Sequence, residues 1–375
     1  MPLTVLMTAM SLDLGGAETH VVSLARHLKA RKHQVLVASA GGALVEDLQS
    51  RDIPHFHAPL NSRKPWGLLA ASVYLGTLVR RFKVDVVHAH GRIPAWTSHM
   101  ATRLSDVPLV TTYHGTYKAS PVLRRLTKSG LISIAVSHDV ECHLVENLGF
   151  SPARVRVIPN GIDLEVFRPR DVKALRKEFG FEPAQKVAVF VSRLDEDTLA
   201  SASSFVAGVA MTPEVYGLVA GDGTKRVEVE NLATEASRRA GRQAVLMLGG
   251  RTDVASILNT ANVVVGAARV ALEAMACGRP VVLCGEGGFV GPVEPHILED
   301  LYRSNFTARG LGTPPTPEQI AEAVTSLLED PTRVRQMVDS GLKFVHDRYS
   351  IEGVTGEVEG VYGQALAEVQ RRRRV

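Results

Sequence analysis

Short apolar runs alternate with helix-patterned segments along almost the whole chain, and most runs are followed by glycine. Residues 3–10 lead to Gly15 and Gly16, after which Val21, Leu24, Ala25 and Leu28 recur at helical spacing. Strand candidates follow at 34–39, 84–88, 109–113, 132–136 and 155–158, and Ser137 is placed to cap a helix running to Leu148 and closed by Gly149. The periodicity lapses at Phe167, Arg168 and Pro169, then restarts with strand candidates at 187–191, 216–220, 244–248, 262–265 and 280–284. Thr316, Pro317, Glu318 and Gln319 have the form of a capping box opening a helix through Leu328, and two more helices finish the chain. Such alternation leaves few architectures open, because parallel strands need long crossovers and bury both faces. The expectation is an α/β chain of two similar domains, 1–168 and 169–348, each a mostly parallel sheet with helices on both faces, followed by a C-terminal helix at 349–375.

In open parallel sheets, ligands bind beyond the carboxyl ends of the strands. The glycine motifs fall there in two sets: Gly15-Gly16, His90-Gly91 and His114-Gly115 in the first half, Gly221-Asp222-Gly223, Gly249-Gly250, Gly266 and Gly287-Gly288 in the second. Gly266 is expected to turn the backbone sharply into a short helix that stops at Gly278, with Pro280 preventing continuation. Arg269 and Glu273 share one face of that helix. Its exposed N–H groups suit a diphosphate, and Glu273, one turn in, suits sugar hydroxyls; a surface ion pair on a packing helix explains the same two residues equally well. His88 and His90 face one side of a strand, where packing and hydrogen bonding are favoured over a metal because no third ligand has a matching pattern. His114, at a strand end before a glycine, is placed to hydrogen-bond a substrate hydroxyl or a reacting oxygen.

A net charge of +4 argues against nucleic acid as a partner. Cys142, Cys277 and Cys284 lack paired metal spacing and read as free thiols of a reducing compartment. Residues 3–10 follow no basic residue and read as a first strand rather than a signal peptide, and the longest apolar stretch, 66–79, is shorter than the roughly 20 residues that span a bilayer. The expected location is cytoplasmic. The basic run at 371–374, and Arg63, Lys64 and Trp66 beside the apolar stretch, point to salt-sensitive peripheral contact with the inner face of an anionic membrane; simple solvation is the alternative for the basic run.

Together the motifs resemble the GT-B glycosyltransferases, specifically the large retaining family 4. The similarity rests on GGAE at 15–18, HG at 114–115, AVS at 135–137, PNGID at 159–163, SRL at 192–194, GDG at 221–223 and LEAMACGRPVV at 272–282, in the family's order. The resemblance implies two Rossmann-like domains facing across a cleft, the C-terminal helix crossing back to the first. It implies a nucleoside diphosphate sugar held mostly by the second domain, a glycan, lipid or small-molecule hydroxyl acceptor held mostly by the first, and no metal or other cofactor. On the family's pattern Arg193 binds the donor phosphates, Glu273 the ribose, and Gly16, beside Gly15, admits the phosphate or sugar. His114 lies near the anomeric centre, and Arg251, after Gly250, flanks the base. Retention in the family is usually drawn as front-face return, the leaving phosphate helping to deprotonate the acceptor. Two positions depart from the pattern: Thr198 stands where the family has a phosphate lysine, and Val265 where it has the first glutamate of an E-x7-E pair. Arg269 is the expected substitute cation, ahead of Lys225 and Arg226. A sugar-nucleotide epimerase and a non-catalytic nucleotide-sugar-binding protein are the competing readings.

Overall fold

The computed structural model describes residues 1–103 and 105–373. The chain divides into two compact units, one of Met1–Asp163 with the C-terminal residues from Tyr349 onward, the other Leu164–Arg348.

In the first unit, strands β1 (Thr4–Thr8), β2 (Gln34–Ser39), β3 (His55–His57), β4 (Val86–His90), β5 (Leu109–Tyr113), β6 (Ile132–Ala135) and β7 (Val155–Val157) form a parallel sheet in the order β3-β2-β1-β4-β5-β6-β7. Helices cover both faces. Val21, Leu24 and Leu28 of the helix Gly16–Ala30 share one core with Val354, Val358, Val361 and Tyr362 of the last helix, Ile351–Arg373. Burying an aliphatic side chain of this size stabilises by about 1.5–3 kcal/mol, which places the end of the chain firmly in the unit that contains its beginning. Glu359 adds a polar clasp, 2.9 Å from Arg31 and 2.7 Å from His33. The opposite face is covered by the helix Pro65–Arg81 through Ala71, Leu75, Leu78 and Val79.

Two local expectations are corrected here. The strand expected at 84–88 runs instead over Val86–His90, because Lys83 takes a left-handed φ of 49° and the Asp85 N–H donates to the Thr4 carbonyl while the chain is still turning. The shift brings His90 to the end of the strand. Ser137 makes no side-chain cap; its hydroxyl donates to Asp139, and the helix His138–Cys142 passes into a π-helical turn, His143–Asn147, before Gly149.

The second unit holds β8 (Lys186–Val191), β9 (Val215–Ala220), β10 (Val245–Gly249), β11 (Val263–Gly266), β12 (Val281–Gly285) and β13 (Gly288–Pro292) in the order β10-β9-β8-β11-β12-β13. Only β13 pairs antiparallel. Phe205, Val206 and Val209 of the helix Leu199–Ala210 pack with Ile320, Val324 and Leu327 of the helix Pro317–Glu329. That second helix opens with the Thr316–Gln319 capping box in both directions. In each sheet the strand order reverses beside the first strand, between β1 and β4 and between β8 and β11, which is where a doubly wound sheet leaves a crevice for a ligand.

Candidate active site

In the first unit the reversal point is filled by imidazoles. His90 ends β4, His114 follows β5, and His20 lies one turn into the helix after β1. The His90 and His114 rings lie edge to edge, nearly coplanar, with centroids 5.3 Å apart, and His20 meets His114 edge-on at 5.8 Å. His90 Nδ1 is 3.1 Å from His114 Nε2, and His114 Nδ1 is 2.9 Å from Asn160 Oδ1. His20 Nδ1 accepts the Gly161 N–H at 3.1 Å, so its own proton sits on Nε2. Behind them His88 is fully buried, with Nδ1 2.7 Å from the Tyr362 hydroxyl and Nε2 2.7 Å from Thr112 Oγ1. Burial, then the charge His114 would carry, pushes His88 down to about 3. Burial pushes His114 down to about 4 despite the bond to Asn160, and His90 is held well below its ordinary value by burial and then by its histidine neighbours. All three are therefore neutral near pH 7.

This geometry gives His88 and His90 hydrogen-bonding and packing roles. Among the described residues no group of three or more His, Cys, Asp or Glu is arranged to hold a metal ion. Gly15 immediately precedes the helix Gly16–Ala30 and makes no side-chain cap; a helix N-terminus is where backbone N–H groups can meet an anion. A side chain at Gly15 would push its Cβ to 2.3 Å from Glu18 Oε2.

The second unit assembles charges instead. Arg193, two residues after β8, has a side chain 66% exposed and lies 3.6 Å from Asp195 and 4.0 Å from Asp197. Lys225 pairs with Glu196 at 2.9 Å and Glu228 at 3.2 Å, and Arg226 with Glu230 at 2.7 Å. Thr198 turns its hydroxyl back on its own loop, donating to the carbonyls of Arg193 and Asp195. Gly221 admits no side chain, since a Cβ there would lie 1.9 Å from the Ser192 carbonyl oxygen. At the end of β10, Gly249 turns with φ 65° and Gly250 leads to Arg251, whose fork grips Asp253 at 2.8 and 2.7 Å.

Gly266 ends β11, but the sharp turn expected there is made two residues later by Ala268, at φ 52° and ψ −128°. That conformation is strained for a residue with a Cβ. The helix Arg269–Ala276 follows and ends before Gly278, whose φ is 66°. The Arg269 Nε–H donates to Glu273 Oε1 at 2.7 Å, the two side chains being 13% and 7% exposed. Expected to face a diphosphate, Arg269 is committed to Glu273 in this structure. Burial pushes the Glu273 carboxyl up, and the guanidinium opposes that. A cavity of about 300 Å³ within this unit is lined by Asp197, Ser201, Gly285, Glu286, Gly287 and Thr313, the size of a small ligand site.

Arg193, Gly250, Arg251, Gly266, Arg269 and Glu273 thus lie at the carboxyl ends of the second sheet, and Gly15, Gly16 and His114 at those of the first. Sequence reasoning missed His20 and gave no role to Asn160, although Asn160 lies in the PNGID run.

Residues 14–166 match the model of Glycosyltransferase Family 4, and residues 171–344 that of Glycosyl transferases group 1. The chain belongs to the GT-B glycosyltransferases of family 4. It is 27% identical over 311 residues to a D-inositol 3-phosphate glycosyltransferase of Segniliparus rotundus, covering 75% of this chain and 66% of that protein. The chain thus spans just under two thirds of that relative's length. A glycosyltransferase of Rickettsia africae superposes with a TM-score of 0.78 at 18% identity, covering 97% of this chain and 99% of that one. An Anabaena protein solved with UDP-glucose superposes at 0.75 with 20% identity, covering 96% and 100%. These structural likenesses concern the fold.

Proposed function

We propose that this family 4 protein transfers a hexose from a nucleoside diphosphate sugar to a hydroxyl acceptor, with retention at the anomeric carbon. The observation that carries the donor half of this reading is the buried Glu273 one turn into a helix beside the β8/β11 reversal, with Arg193 following the neighbouring strand. A carboxylate held there accepts from a ribose diol, while an exposed guanidinium and helix N–H groups meet the diphosphate. The Anabaena protein bound to UDP-glucose supports a nucleotide sugar as the donor class. His114, neutral near pH 7, is suited to hydrogen-bonding a sugar rather than neutralising a charge. No separate cofactor enters this reading, since the leaving diphosphate takes up the developing charge and assists the acceptor's deprotonation.

The acceptor class is a glycan, a lipid or a small polyol. Peripheral docking on an anionic membrane at the cytoplasmic face fits the helix Pro65–Arg81, which exposes Trp66 at 81%, Leu69 at 50% and Val73 at 62%, one face of the helix, just after Arg63 and Lys64. Arg371 and Arg372 pair instead with Glu368, and Arg373 with Asp106; Arg374, the last of that basic run, lies outside the described residues. Among the described residues no helix is long and apolar enough to cross a membrane.

Incubation with UDP, GDP and ADP sugars and a panel of hydroxyl acceptors, following both nucleotide release and sugar fate, tests the reading. Transfer to an acceptor with the anomeric configuration kept is the expected result. An epimerised sugar without transfer identifies an epimerase, and tight binding without any turnover identifies a binding protein.

A further inference from the structure

Both ring nitrogens of His114 are occupied within the protein, and the identity of one partner fixes where its proton lies. Asn160 presents its carboxamide oxygen, which only accepts, so His114 carries its hydrogen on Nδ1 and donates it at 2.9 Å. The neutral ring then has a lone pair on Nε2, and that nitrogen accepts from His90 Nδ1–H at 3.1 Å. His90 Nε2 is left bare. It is buried without a hydrogen-bond partner, and His90 is only 5% exposed. The reverse order, starting from the carboxamide NH2, would leave a buried N–H orphaned at the same atom, the rarer and costlier arrangement.

We propose that Asn160 is a positioning residue that fixes His114 as a hydrogen-bond acceptor, and that a sugar hydroxyl replaces the direct His90–His114 bond, contacting both rings. A hydroxyl both accepts and donates. Its oxygen takes the His90 Nδ1–H while its hydrogen goes to His114 Nε2, so both imidazoles stay satisfied. A phosphate oxygen at the same place accepts from His90 but meets the His114 lone pair with one of its own. The pair therefore selects hydroxyl over anion. Access is available at the His114 side, where the ring is half-buried and the neighbouring Gly115 has open space around it. The hydroxyl's belonging to a sugar rests on the glycosyl-transfer reading, whereas the proton order does not.

The two parts are tested separately by 15N NMR of protein labelled in the histidine ring. In the free protein at neutral pH, His114 is expected as the Nδ1–H tautomer, the reverse of the form favoured in water. In Asn160→Leu it should revert to Nε2–H, with the His88 resonances unchanged as evidence of an intact fold; Asn160→Asp, which keeps an acceptor oxygen, should retain Nδ1–H. An Nε2–H tautomer in the parent protein, or an unchanged tautomer in folded Asn160→Leu, overturns the proton order. The donor selected by the turnover panel should move the His114 Nε2 signal, whereas its nucleoside diphosphate alone should not; equal shifts overturn the hydroxyl assignment. Asn160→Leu should also lower kcat roughly tenfold, the equivalent of one hydrogen bond, with recovery in Asn160→Asp. Should no sugar nucleotide turn over, the glycosyl-transfer reading fails while the tautomer measurement still decides the proton order.

Discussion

The two units place their candidate residues at equivalent points of similar sheets and build them from opposite materials. In the first, buried uncharged imidazoles act as directional donors and acceptors; in the second, charges face one another, mostly in water. Neutral rings tolerate burial at little electrostatic cost and lose their role when protonated. Exposed ion pairs keep their charge across a wide pH range and weaken with salt. The first site should therefore answer to acid and the second to ionic strength, with the buried Arg269–Glu273 pair as the exception that salt does not reach.

Acidification should produce the largest contrast. His88, His90 and His114 have folded pKa values below the ordinary 6.5, so the unfolded chain takes up protons first as pH falls. Their contribution is complete above about pH 6.5 and is lost as the pH falls, down to about 4 for His114 and about 3 for His88, at a slope approaching roughly 4 kcal/mol per pH unit while all three act together. Glu273, pushed up by burial, has the opposite sign and loses its contribution as the pH rises. Hydrogen exchange at pH 7 and pH 5 should show protection falling in β4 and β5 before β8 and β11; equal losses would break the comparison.

Removing half of the buried pair comes next. Arg269→Ala should destabilise the second unit by about 3 kcal/mol, the lower end for an uncompensated buried charge, because Glu273 can relieve part of the cost by protonating. Urea unfolding monitored by exchange in that unit measures this, and a change below 1 kcal/mol would mean that the pair is not sealed from water.

A smaller effect of the other sign is expected at Ala268. Its positive φ belongs to glycine, so Ala268→Gly should stabilise by about 1 kcal/mol once the extra freedom of glycine in the unfolded chain is allowed for. A lower midpoint would show that the alanine methyl contributes packing that outweighs the strain.

Arg193→Ala should be smallest, within about 0.5 kcal/mol of the parent, since its partners lie at 3.6 and 4.0 Å on a mostly exposed side chain. Its effect on nucleotide affinity should shrink as salt is raised. An affinity loss that is the same at low and high salt would place Arg193 in a drier setting than its exposure indicates.

Much of this architecture could be read from the chain because an interior parallel strand is an uninterrupted apolar run. That held for β2 and β5, whose limits coincide with the sequence reading. It failed at edges. β3 is His-Phe-His, short and partly exposed, and β13 contains two glycines and a proline, so neither shows an apolar run. The Arg269–Glu273 pair was legible from helical spacing alone, but not its burial, which depends on what packs around the helix. The imidazole cluster was least legible. His20, His90, His114 and Asn160 come from four separate segments, His20 bonding a backbone group 141 positions away, and no local pattern records such a meeting. The turn at Ala268 was missed because glycine marks where sharp turns are easy, and this chain makes its turn where it is not.

The hydrogen bond between Tyr362 and His88 has a further meaning during biosynthesis. Residues of the helix Gly16–Ala30 belong to a core that includes the helix Ile351–Arg373, so the first unit must wait, incomplete, while Leu164–Arg348 is made. The trailing unit has all its strands and helices before residue 349 and is free to finish first. Until residues 351–373 emerge, the face of the sheet that they cover stays open to solvent and to chaperones, and His88 has no phenol to hold it. Arrival of Tyr362 then closes the core and sets the ring behind His90 in one step, so the imidazoles of the first unit are set only after Leu164–Arg348 has been made.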